Sequence, residues 1–144
     1  MAILFGILAV LGVLLPWHSQ TADNARGGAE MIDFQRGLDG EFFGLYTMLL
    51  AAVGTVLLIW FVVKKTSPAL SRGLLFGAAL MFATGIGLTI VDFGLDLPSG
   101  TRTVGRQVIE EGRAFGIYLT LVGCGVALLM TAISILSPKT PYKE

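Results

Sequence analysis

The chain has 144 residues, of which 54% are hydrophobic and 14% charged, and its mean hydropathy is +0.78. Soluble domains carry about 25% charged residues, and disordered chains combine low hydrophobicity with high net charge, so the composition excludes both classes. Ten basic and ten acidic residues sum to zero, without the basic excess of a nucleic-acid binder, and the single cysteine cannot close a disulfide within one chain.

A bilayer core about 30 Å thick takes roughly 20 mostly apolar residues in a helix, and four runs answer to that need. The first span is placed at 1–18. Its apolar stretch stops at Leu15, before Pro16, and no Lys or Arg precedes it. The basic n-region of a cleaved signal peptide is therefore missing, which predicts a retained helix carried past Pro16 by Trp17 and His18 at interface depth. An outer loop follows at 19–41. In it, Ala29 to Arg36 is expected to form a short amphipathic helix with Met31, Ile32 and Phe34 toward the membrane. Asp39 is expected to cap the second helix. The second span, 42–63, holds no formal charge.

The inner loop, 64–72, carries Lys64, Lys65 and Arg72 and no acid, so the Lys/Arg bias puts it in the cytoplasm. The third span is 73–91. The second outer loop, 92–113, mixes Asp92, Asp96, Glu110 and Glu111 with Arg102, Arg106 and Arg113. Pro98-Ser99-Gly100 marks a turn. Beyond it, Val104 and Val108 share a helical face and Arg106–Glu110 is an i,i+4 opposite-charge pair. The fourth helix is thus expected to start in this loop and project outward before its span at 114–136. The tail, 137–144, holds Lys139, Lys143 and Glu144 and suits the cytoplasm. The fold class is an all-α integral membrane protein, one domain of four transmembrane helices with both termini cytoplasmic, in a multi-pass prokaryotic plasma-membrane setting.

The chain also resembles itself. Gly40-Glu41-Phe42-Phe43-Gly44-Leu45-Tyr46 matches Gly112-Arg113-Ala114-Phe115-Gly116-Ile117-Tyr118 as G-x-x-F-G-[LI]-Y, 72 positions apart, and Leu4-Phe5-Gly6 matches Leu75-Phe76-Gly77. A tandem repeat of two helical hairpins, related by an axis along the membrane normal, follows.

In lipid, helices associate through small residues that let backbones approach. Candidate packing positions are Gly73, Gly77, Ala79, Ala83 and Gly87 on the third helix and Gly116, Thr120 and Cys124 on the fourth. Helices 3 and 4 are therefore expected to be central and helix 1 peripheral. Leu57, Leu58, Trp60 and Phe61 are expected to face lipid or a partner. Cys124 reads as a buried packing thiol rather than a reactive one.

Catalysis or proton-coupled transport needs ionisable groups inside the bundle, and none lies deep in any span. Asp92, at the outer end of the third, reads as an interfacial carboxylate paired with an Arg of the following loop. His18 is the only histidine, so a bis-His haem or a zinc set is beyond one copy; it could serve one axial position of a haem or a pigment magnesium. Tyr46 and Tyr118 read as an aromatic belt or as a paired ligand-facing motif. Two outer loops with cytoplasmic termini are the topology of claudins and tetraspanins, but the loop cysteines of those families are absent, and the chain resembles no family.

The sequence thus points to a non-enzyme with no required cofactor or metal. Its expected role is an accessory, assembly or stabilising subunit of a larger membrane complex, such as an energy-transducing one. Its partners would be membrane lipids and other membrane subunits, met at an outer docking surface of Arg106, Glu110 and Arg113. One rival is a small transporter or oligomeric channel with a cavity lined by Thr47, Thr55, Thr84, Thr89 or Thr120. Another is a protein that binds lipid, quinone or pigment through His18 or the Tyr46/Tyr118 pair.

Overall fold

The fold is described from a computed structural model, over residues 1–23, 29–39, 43–64, 67–94, 100–104 and 107–137. The element order is α1 (Ala2–Leu14), β1 (Pro16–Asp23), β2 (Ala29–Arg36), α2 (Gly44–Val63), α3 (Pro68–Gly94), β3 (Gly100–Val104), β4 (Gln107–Arg113) and α4 (Phe115–Leu136). Three helices, α2, α3 and α4, are long and apolar enough to cross a membrane; α1 has 13 residues.

Helix ends follow from local chemistry. A residue before proline is pushed out of the α region, and Leu15, before Pro16, is extended at φ −86° and ψ 162°. The first helix therefore stops at Leu14, and Trp17 and His18 belong to β1, not to a helix carried past the proline. At α3 the signals work in the other direction. Pro68 occupies the first helical position, where its missing N–H costs nothing, and the Ser67 hydroxyl accepts from the Leu70 N–H at 3.4 Å. This start lies five positions before the expected residue 73.

The segments that link α1 to α2 and α3 to α4 hold the largest departure from the sequence reading. Ala29–Arg36 and Gln107–Arg113 are strands, not helices. Together with β1 and β3 they form one antiparallel sheet in the order β2-β1-β4-β3. Two hairpins, one from each half of the chain, are joined through β1 and β4, with His18 opposite Arg113 and Thr21 opposite Glu110. Register shifts in the β1–β2 ladder fall between Pro16 and His18 and between Gln20 and Thr21. The side chains of Met31, Ile32 and Phe34 lie outside the described part. Each half runs helix, hairpin, helix, but the sheet does not repeat. Its central strands are the one that leaves α1 and the one that enters α4, whereas a repeat-related sheet would seat β3 where β4 sits.

The helices pack as a ring in which α1 meets α2 and α4, and α3 meets α2 and α4. Helix 1 is therefore integral rather than peripheral. A Cβ on Gly116 would lie 2.6 Å from the Pro16 carbonyl oxygen and 2.7 Å from that of Gly12, and one on Gly123 would lie 2.7 Å from the Ala9 nitrogen. The α1–α4 contact is thus backbone against backbone, as small residues permit in lipid. The core proper is Ala9, Ala51, Ala78, Cys124 and Ala127 around one large ring, Phe82, with Leu58 and Leu75 toward the end that carries the α2–α3 link.

Candidate functional site

The side chains that carry chemistry gather where the bundle meets the sheet. Trp17, fully buried, fills the sheet-side mouth of the bundle against Val13, Ile117, Met48 and Phe93. A buried indole N–H needs an acceptor, and Trp17 Nε1 donates to the Gly12 carbonyl at 3.0 Å. Gly37 passes over the ring so closely that a Cβ there would sit 2.5 Å from it. The main chain of α4 is tied to the same strand, because the Ala114 N–H donates to the Trp17 carbonyl at 2.8 Å.

Asp92 is 4% exposed, and its Oδ2 accepts from the Phe43 N–H at 2.9 Å. A carboxylate at a helix N-terminus meets unpaired N–H groups and the positive end of the helix dipole. Asp92 of α3 thereby caps α2 across the helix interface. The expected cap, Asp39, instead turns back on its own loop, where it accepts from the Arg36 N–H. The expected arginine partner of Asp92 sits one residue along. Arg113 donates from Nη2 to the Phe93 carbonyl at 2.8 Å and lays its guanidinium 4.0 Å above the Phe93 ring. It is a clamp between β4 and the end of α3, combining a charge-assisted hydrogen bond with a cation–π contact.

The remaining expected residues are dispersed. His18 is buried in β1 beside Arg113 in the ladder. Tyr46 and Tyr118 are both exposed and sit on the diagonally opposed helices α2 and α4; Tyr118 meets Phe93 edge-on at 5.8 Å and Tyr46 meets Phe43 at 6.4 Å. They do not form one site. Glu110 is exposed on β4 and Arg113 is half-buried, while Arg106 lies outside the described residues. The i,i+4 arrangement expected for Arg106 and Glu110 does not arise, since Glu110 lies in a strand. Among the described residues, no three His, Cys, Asp or Glu side chains come together as a metal site.

The packing stripes divide. Gly116, Thr120 and Cys124 are buried; Gly77 and Ala79 are half-buried; Gly73, Ala83 and Gly87 are exposed, with open space around Gly73 and Gly87. The inward face of α3 is instead Ser71, Leu75, Ala78, Phe82, Gly85, Thr89 and Asp92. On α2, Leu58 is buried rather than lipid-facing, Leu57 and Phe61 are half-buried, and Trp60 faces out. Comparison with family models, with curated proteins and with solved structures finds no match for this chain.

Proposed function

We propose that the chain is a non-catalytic accessory, assembly or stabilising subunit of a larger membrane complex in a prokaryotic plasma membrane. Helices α2, α3 and α4 cross, with the sheet outside and the α2–α3 link and the C-terminal end cytoplasmic; α1, with 13 residues, enters from the sheet side and spans only part of the core. The observation that carries this reading is the division of labour between inside and outside. The interior is small, and its buried threonine hydroxyls, Thr47 apart, are satisfied within their own helices. The buried hydroxyls of Thr55, Thr89, Thr120 and Thr131 each donate to the carbonyl four residues back in their own helix, at 2.7 to 2.9 Å. Spent in this way, they offer nothing to a passing ion or polar solute. Large apolar side chains, among them Trp60, Phe76, Leu80 and Leu129, face outward. The four-stranded sheet adds a hydrogen-bonded outer platform on which a partner's extramembrane domain could sit. Energy-transducing complexes are the expected context.

Three of these threonines weigh against a transport pathway through one copy, because Thr55, Thr89 and Thr120, of the five residues expected to line it, are buried with their hydroxyls already bonded. A ligand-binding role draws some support from a 430 Å³ apolar groove lined by Phe43, Tyr46, Leu49, Leu50 and Leu88. Extraction from the native membrane in mild detergent separates these readings. A stable hetero-oligomer is expected. A lone 15.3 kDa chain with liposome flux above background would establish the transporter instead. A lone chain with a visible chromophore or retained quinone would establish the binder.

A further inference from the structure

We propose that the end of the bundle opposite the sheet holds one anionic glycerophospholipid, its acyl chain in a cleft beneath α1 and its phosphate held by Lys64 and Arg72. The cleft follows from helix lengths. The outer ends of α1 and α4 are level, since Gly116 abuts the Gly12 and Leu15 carbonyls. From there 13 residues carry α1 only about 20 Å, against a bilayer core of about 30 Å. The longer helix α4 continues to Leu136, so Met130, Thr131, Ile133 and Ser134 extend level with and past the start of α1.

What remains is a cavity of 260 Å³, walled by these residues and by Met1, Ile3, Leu58, Phe61 and Leu75. Its two hydroxyls do not make it polar. Thr131 and Ser134 donate to Ala127 and Met130 carbonyls of their own helix. An apolar concavity at bilayer depth suits an acyl chain and not a hydrated solute.

Charge selects the headgroup. Lys64 lies one helical turn past Phe61 and Arg72 one turn before Leu75, so both cations sit just beyond wall residues of the cleft. The Lys64 ammonium lies 5.3 Å from the centre of the Trp60 ring, an aromatic–cation pair of the kind found at headgroup depth. The sequence adds Lys65, and no Asp or Glu occurs from residue 42 to 91. A phosphate there meets cations without a competing carboxylate on α2, on the link or on the inner part of α3. Basic residues at headgroup depth attract anionic lipids over zwitterionic ones.

The test is native mass spectrometry of the full chain in mixed micelles that contain either phosphatidylglycerol or phosphatidylcholine. The expected result is one retained phosphatidylglycerol, with phosphatidylcholine retained about tenfold less. The pair Lys64→Gln and Arg72→Gln, both exposed, should bring phosphatidylglycerol down to the phosphatidylcholine level. Ser134→Phe, which fills the cleft and leaves the charges, should lower retention of phosphatidylglycerol at least as far. Equal retention of the two lipids by the unaltered chain would overturn the proposal. So would retention that Ser134→Phe does not change, or a cysteine at position 134 that crosslinks to another protein instead of taking a lipid-borne reagent.

Discussion

At the scale of single residues, close approach and hydrogen bonding decide which side chains matter. Gly116→Ala would press a methyl group on three carbonyl oxygens of main chain, at 2.6 to 2.8 Å, which cannot move as a side-chain tip can. We expect a loss of about 1–3 kcal/mol in reversible unfolding. Gly87→Ala meets open space and should be neutral to within about 0.5 kcal/mol. A sequence shows both as glycines on four-residue spacings. Which of several overlapping stripes turns inward depends on neighbours that it does not display, and so Gly73 and Gly87 looked equivalent to Gly116. Asp92 is a second case. Asp92→Leu would remove the acceptor of the part-buried Phe43 N–H and is expected to cost about 1–3 kcal/mol, whereas Asp92→Asn keeps an acceptor and should cost less. Thermal unfolding in detergent would order the two. Its position at the end of an apolar run was legible. Its partner, a main-chain N–H on another helix 49 positions away, was not.

At the scale of elements, the three long helices are legible because an apolar run of 20 or more residues has few other uses. The strands that link the helices leave a fainter trace. Val104 and Val108 fit a helical spacing, yet Val104 ends β3 and Val108 lies in β4, opposite Thr103 in the ladder. Periodicity alone could not choose. The choice is made by pairing between β1 and β4, which aligns Thr21 with Glu110 across 89 positions of chain, and no local pattern encodes that. Hydrogen exchange gives an element-level check. Main-chain amides of Ser19 to Ala22, in a strand bonded on both sides, should exchange more slowly than those of Gly100 to Val104 on the edge. Helical protection across Gln107 to Arg113, with Ser19 to Ala22 unprotected, would refute the sheet. Trp17 gives another. Trp17→Phe keeps the ring in the bundle mouth and loses the bond to Gly12, so it should lower stability by about 0.5–1.5 kcal/mol and leave the exchange pattern of the sheet intact.

At the scale of the whole molecule, the sheet is what makes two helical hairpins one body at that end of the bundle. The proposed role as a subunit, with an outer platform for a partner, rests on that union. If β1 and β4 did not pair, the two outer segments would be independent loops and the platform would not exist. The most direct measurement places cysteines at Thr21 and Glu110 in a Cys124→Ala background and oxidises the protein in its own membrane. The account predicts an intramolecular disulfide between the two halves, seen as one linked species after cleavage within the 64–72 segment. Two separable fragments after the same treatment, with each thiol still free, would contradict it.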